Sequence, residues 1–246
     1  MKRFFSLILW ALSSFFLLEA TPTSLFWTNC NTDIQEMETA LLTYDAFLRT
    51  CHSPKKGRTL IQDFGCTVGA FSWNGLQGEV GADYLTGESY PFLFNGKIGF
   101  GEGVLFENAP AVNVGIFNVG TRTSGLRRTN ENIVDFLFGM SLPQKIGGVL
   151  TLGFFSGSSA MGKNRKGVMI GYSRTLREAT DSHGKKYDKW LFMADYASGK
   201  NSIGGGGFSI KYYFTKRICL QTGPIWFIDW ATYGKWRWAL QIDIEI

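Results

Sequence analysis

The strongest constraint on this chain is an alternation of apolar and polar residues that recurs in stretches of about ten. In GKWRWALQIDIEI (234–246), Trp236, Trp238, Leu240, Ile242, Ile244 and Ile246 fall on one side. Lys235, Arg237, Ala239, Gln241, Asp243 and Glu245 fall on the other. Successive side chains of a strand point to opposite faces, so this is a strand with two chemically distinct faces. LIQDFGCTVGAF (60–71), LQGEVGADYL (76–85), FLFNGKIGF (92–100) and GGFSIKYYFT (206–215) repeat the pattern. Weaker examples are AVNVGIFNVG (111–120), NIVDFLFGM (132–140), GVLTLGFF (148–155), GVMIGYSRT (167–175), KWLFMADYA (189–197) and ICLQTGPIWFID (218–229). METALLTYDAF (37–47) fits a first strand or a short helix; counting it gives twelve strands, within a range of 10–12.

Alternation leaves open which solvent the apolar face meets. The first twenty residues bear on this. Lys2 and Arg3 precede an apolar run from Phe4 to Leu18, and Glu19-Ala20 ends in a small residue, the pattern of a secretory signal cleaved near Ala20. After Ala20 no apolar run approaches the ~20 residues that a spanning helix needs. Aromatics reach 15%, there are 30 glycines, and charged residues are only 18%, below the usual ~25%. An exported, aromatic-rich chain of ten-residue amphipathic strands predicts an all-β fold: a closed antiparallel transmembrane β-barrel whose apolar faces meet lipid. Closure is required because unpaired backbone groups are costly in hydrocarbon.

The expected organisation is a signal peptide (1–20), an N-terminal periplasmic segment (21–36) that plugs the barrel or hangs below it, and a barrel (37–246). Outer loops are expected at 48–58, 86–91, 120–131, 157–166, 198–202 and 230–235. Periplasmic turns are expected at 72–75, 101–109, 141–147, 176–188 and 215–216; of these, 176–188 is long for such a turn. The polar faces predict a lumen lined by Asp63, Glu79, Asp83, Lys97, Asp135, Asp195, Lys211, Lys235, Arg237, Gln241, Asp243 and Glu245. Tyr212, Phe214, Trp226, Trp230, Trp236 and Trp238 are expected in lipid-facing aromatic girdles.

Several strings extend this reading: SLFWTNCNTDIQ (24–35), NGKIGFGEGVLF (95–106), VGIFNVGT (114–121), DYASGKNSIGGGG (195–207), YYFTK (212–216), TGPIWF (222–227) and GKWRWALQIDIEI (234–246). On these the sequence resembles a broad group of small bacterial outer-membrane, porin-like barrel proteins. The resemblance implies the fold and an outer-membrane location, and it brings no catalytic motif.

The expected function is a narrow porin-like channel for passive passage of small solutes or ions, since twelve strands fall between side-chain-filled and water-filled barrels. The alternatives are a lipid-modifying outer-membrane enzyme, which would have to use His52 or His183, the only histidines, and a closed structural or adhesive barrel. No cofactor, metal or nucleic acid is expected: histidines are too few, the cysteines match no zinc spacing, and the basic residues are scattered. Gly204 to Gly207 precede a strand, not the helix that a phosphate loop requires. Cys30 and Cys51 are the one pair considered for a disulfide. Expected partners are outer-membrane lipids, the solutes, the barrel-assembly machinery through the C-terminal strand, and a second copy of the chain as an open case. Ile246 departs from the aromatic residue common at that last position.

Overall fold

The computed structural model describes residues 24–50, 60–86, 88, 90–125, 128–182, 184–230 and 234–246. Twelve strands follow one another: β1 (Ala40–Arg49), β2 (Leu60–Trp73), β3 (Leu76–Leu85), β4 (Phe92–Phe100), β5 (Ala111–Gly120), β6 (Asn130–Ser141), β7 (Val149–Ser156), β8 (Lys166–Thr180), β9 (Lys186–Ala197), β10 (Gly205–Thr215), β11 (Ile218–Phe227) and β12 (Trp236–Glu245). Each pairs antiparallel with its sequence neighbours, and β1 pairs with β12 from Leu41↔Glu245 to Arg49↔Arg237, closing the sheet. Of residues 37–47, ambiguous between strand and helix, 40–47 therefore enter the first strand and 37–39 precede it.

Two ends differ in their connections. One end, called here the turn end, holds the start of β1, the end of β12 and tight connections such as Asn74-Gly75 between β2 and β3. Both of those residues have positive φ, 49° and 82°, the geometry a two-residue hairpin requires. The opposite, loop end carries connections such as 121–129, 157–165 and 228–235, and one turn-end connection, 101–110, is as long. The turn expected at 176–188 shrinks to 181–185, because β8 runs on to Thr180 and β9 begins at Lys186. Register shifts near Arg177 break the alternation there, so periodicity alone misses the extension. At 15 residues β8 is longer than a bilayer needs, and Arg177, Glu178 and Thr180 near its turn end are polar and exposed.

The wall is inverted relative to a soluble barrel. Phe154 is 60% exposed while the next residue, Phe155, is 4% exposed. Outward positions along the strands carry Val80, Phe94, Ile98, Val134, Phe136, Ile170 and Phe208, all exposed. Inward positions carry buried Glu79, Asp83, Lys97, Asp135, Asp195 and Arg237. A contiguous apolar surface of that kind is stable against hydrocarbon, and the closed sheet leaves no unpaired edge for it to solvate.

Aromatic side chains gather toward both rims. Trp226 and Trp236 lie together at the loop end, ring centroids 5.9 Å apart, with exposed Trp238 nearby. At the turn end Tyr212 meets Trp190 at 4.5 Å and Phe214 at 5.0 Å. Lys189 Nζ caps Tyr212 at 4.5 Å, an ammonium over the face of a ring at the rim. Trp230 is exposed but lies past β11, in the connection to β12 rather than on a strand.

Candidate functional site: the lumen and the segment inside it

Residues 24–36, expected on the periplasmic side, run inside the barrel, which decides between plugging it and hanging below it. The segment leaves the lumen at the turn end, where Gly69 on β2 donates its N–H to the Thr39 carbonyl. Leu25, Phe26, Thr28, Asn29, Cys30 and Thr32 are all buried, so protein fills the waist of the lumen.

The wall residues that hold it are those that alternation points inward. Asp195 Oδ2, on β9, accepts the successive N–H groups of Phe26, Trp27 and Thr28 at 3.1, 2.9 and 2.7 Å, and the Thr28 hydroxyl at 3.1 Å. Such charge-assisted bonds are the strong class, worth ~1.5–3 kcal/mol each. Carbonyls of the segment accept from amide and ammonium groups of the wall. Gln221 Nε2 reaches Leu25 O at 3.0 Å and Gln241 Nε2 reaches Phe26 O at 3.0 Å. Lys97 Nζ reaches Asn31 O at 3.1 Å and Asp33 O at 2.7 Å. The same ammonium lies 3.5 Å from Glu79 Oε1, both side chains fully buried, and Glu79 Oε2 accepts the Gln35 N–H at 2.6 Å. Asp135 Oδ2 accepts from the Asn29 side chain at 3.0 Å.

Apolar contacts add to this. Phe26 packs with Ile225, Phe227 and Ala239, with Trp27 and Phe47 against them. Leu25 packs with Leu191 and Met193. Cys30 joins Phe117, Ile133, Leu137, Phe155 and Met169. Its thiol is free, points at the Thr151 carbonyl, and is pushed up from its ordinary pKa by burial and then by Asp195 and Asp135. The Cys51 considered as its partner lies outside the described residues.

Close approach demands missing side chains in the wall. A Cβ on Gly171 of β8 would stand 2.5 Å from the Cys30 carbonyl oxygen and 2.8 Å from Leu25 Cδ2. A Cβ on Gly69 would overlap the Glu36 carbonyl. In both cases the three nearest atoms belong to the segment, so these glycines make room for it.

Cavities flank the segment on both sides. One of about 380 Å³ lies toward the turn end, lined among others by Lys211, Asp243, Glu245 and Asp45. One of about 740 Å³ lies toward the loop end, lined among others by Asp63, Asp83, Arg237, Trp27 and Phe227. The expected lumen residues thus divide: Glu79, Lys97, Asp135, Asp195 and Gln241 hold the segment, while Asp63, Asp83, Arg237, Lys211, Asp243 and Glu245 face the cavities. Lys211 and Asp243 pair at 2.6 Å, and Arg237 Nη1 bonds the Phe47 carbonyl at 2.9 Å. Lys235 is not among them. It precedes β12 at the loop-end rim and is exposed, because the alternation continues one residue past the last ladder pair, Trp226↔Trp236. Sequence reasoning missed Asp45, buried and bonded by Gln241 Nε2 at 3.2 Å, because β1 itself was unsettled. The signal peptide, His52 and His183 lie outside the described residues.

No protein-family model matches the sequence, and no curated protein matches it. Solved structures of similar shape include a KdgM porin (TM-score 0.48, 8% identity, covering 83% of this chain and 97% of that one). Another is the COG4313 outer membrane channel from Pseudomonas putida F1 (TM-score 0.47, 10% identity, 93% and 100% covered). A NanC porin is also similar (TM-score 0.40, 8% identity, 82% and 98% covered). At these scores and identities they transfer no residue roles to this chain.

Proposed function

We propose that the protein is an outer-membrane channel for small solutes or ions, held shut by its own residues 24–36. The observation that carries this reading is that the waist of a twelve-stranded lumen is filled by a separable segment, rooted at one end, and not by side chains of the wall alone. The inverted wall and the aromatic rims support membrane residence. An N-terminal signal and the resemblance to small porin-like barrels support the outer membrane. The closing β12–β1 seam is the feature that barrel-assembly machinery would act on.

Gly171→Val tests the reading, because the first atom of the added side chain collides with the segment. The variant is expected to give conductance steps in planar bilayers that the parent lacks, while keeping heat-modifiable migration as the sign of a folded barrel. A folded variant that stays silent in every salt removes the channel reading. The same reading makes the protein a conduit and not a lipid-modifying enzyme. Replacement of both His52 and His183 should leave lipid profiles unchanged, and an altered profile would reverse that view.

A further inference from the structure

We infer that the lumen wall is a binding site for short peptides, which the residue 24–36 segment occupies as a tethered stand-in; this rests on the channel reading above. The wall reads main chain more than side chain. Asp195 collects three consecutive N–H groups on one oxygen, Glu79 takes a fourth, and Gln221, Gln241 and Lys97 donate to four carbonyls. Convergence of successive N–H groups on one anionic oxygen is the signature of a bent peptide backbone.

The glycines agree with that chemistry. Gly69 and Gly171 open the wall where carbonyl oxygens of a chain pass closest, at Glu36 and Cys30. Side-chain preference comes from apolar pockets for Leu25 and Phe26, built by β9, β11 and β12. The ligand class is therefore a short peptide with two adjacent apolar residues entering a bend. None of these contacts is covalent, so a free peptide and the tethered segment compete for the same groups.

The test uses the full chain with Leu25→Asp and Phe26→Asp, which puts two carboxylates against apolar pockets and releases the segment while leaving the wall intact. Gly69→Val, whose Cβ collides with the segment's root, replaces it if that variant does not fold. A synthetic peptide of residues 24–33, added to the conducting protein, is expected to block the current saturably. An unrelated peptide of equal length with apolar residues at its second and third positions should block within tenfold. The 24–33 peptide N-methylated at the Phe26, Trp27 and Thr28 nitrogens should block at least a hundredfold more weakly, and Asp195→Ala should abolish that difference.

Equal block by the N-methylated peptide, block by the 24–33 sequence alone, or equal block by a neutral trisaccharide would each overturn the inference. Conduction without any peptide block removes the peptide site and keeps the channel. Folded variants with no conduction remove the channel reading itself.

Discussion

The two sides of the lumen are built differently. From β5 to β9 the inward positions at the waist are largely apolar, with Phe117, Ile133, Leu137, Phe155 and Met169 packed as in a soluble core. Asp135 on β6 and Asp195 on β9 both bond the inner segment. From β1 to β4 the wall instead carries Asp45, Asp63, Glu79, Asp83, Asn95 and Lys97, and the loop-end cavity lies largely along it. A barrel of twelve strands is too wide for its own side chains to fill evenly. One wall has become a core, and the other keeps the polar surface that a solute needs. The segment is the boundary between them.

This asymmetry can be broken in stages. The largest effect should come from combining Gly171→Val with Gly69→Val. Both collide with the segment, and single-channel recording should change from silent to conducting, with Cys30 turning from inert to maleimide-reactive within the assay. Next, Lys97→Met takes the ammonium from the fully buried Glu79 carboxylate and should cost about 3–5 kcal/mol of stability. Urea unfolding in detergent measures it, and adding Glu79→Gln should restore part of the loss. On the apolar wall Leu137→Ala should cost ~2–5 kcal/mol by opening a cavity, yet leave the ion preference of an opened variant unchanged. In the opened background Asp63→Asn should shift the reversal potential modestly toward anions, and an unchanged potential would mean the β1–β4 wall is not the conduit. The smallest effect belongs to the exposed Lys186–Glu178 pair, 2.8 Å apart in the β8–β9 extension. Lys186→Ala should leave both unfolding and current unaltered.

The wall was legible in the sequence because a strand's period of two is a local property. Glu79 and Lys97 could each be placed inward from neighbours within five residues. The extension of β8 past Arg177 was not legible, since a bulge shifts the face that each residue presents. Nor was the role of SLFWTNCNTDIQ. That string has no sustained period, and its conformation is set by Asp195, Gln221 and Gln241, positions at least 167 residues away. One signal was present: glycines on the inward face of the wall, where a passing chain needs the room. Lys235 fails for the opposite reason, because alternation continues one residue past the last ladder pair, onto the exposed rim.

The hydrogen bond from Gln241 to Phe26 joins positions 215 apart in the chain. Gln241 stands on the strand that completes the ring, and β1, its partner across the seam, begins only a few residues after the segment. Contacts of such range return nothing until the entropy of closing the intervening chain has been met, which slows their formation. Ring closure and occupation of the interior are therefore the late events of folding. They are also coupled, because the same terminal strand supplies partners to both. Damage to β12 should accordingly show up as a barrel that assembles slowly and, once assembled, fails to shut.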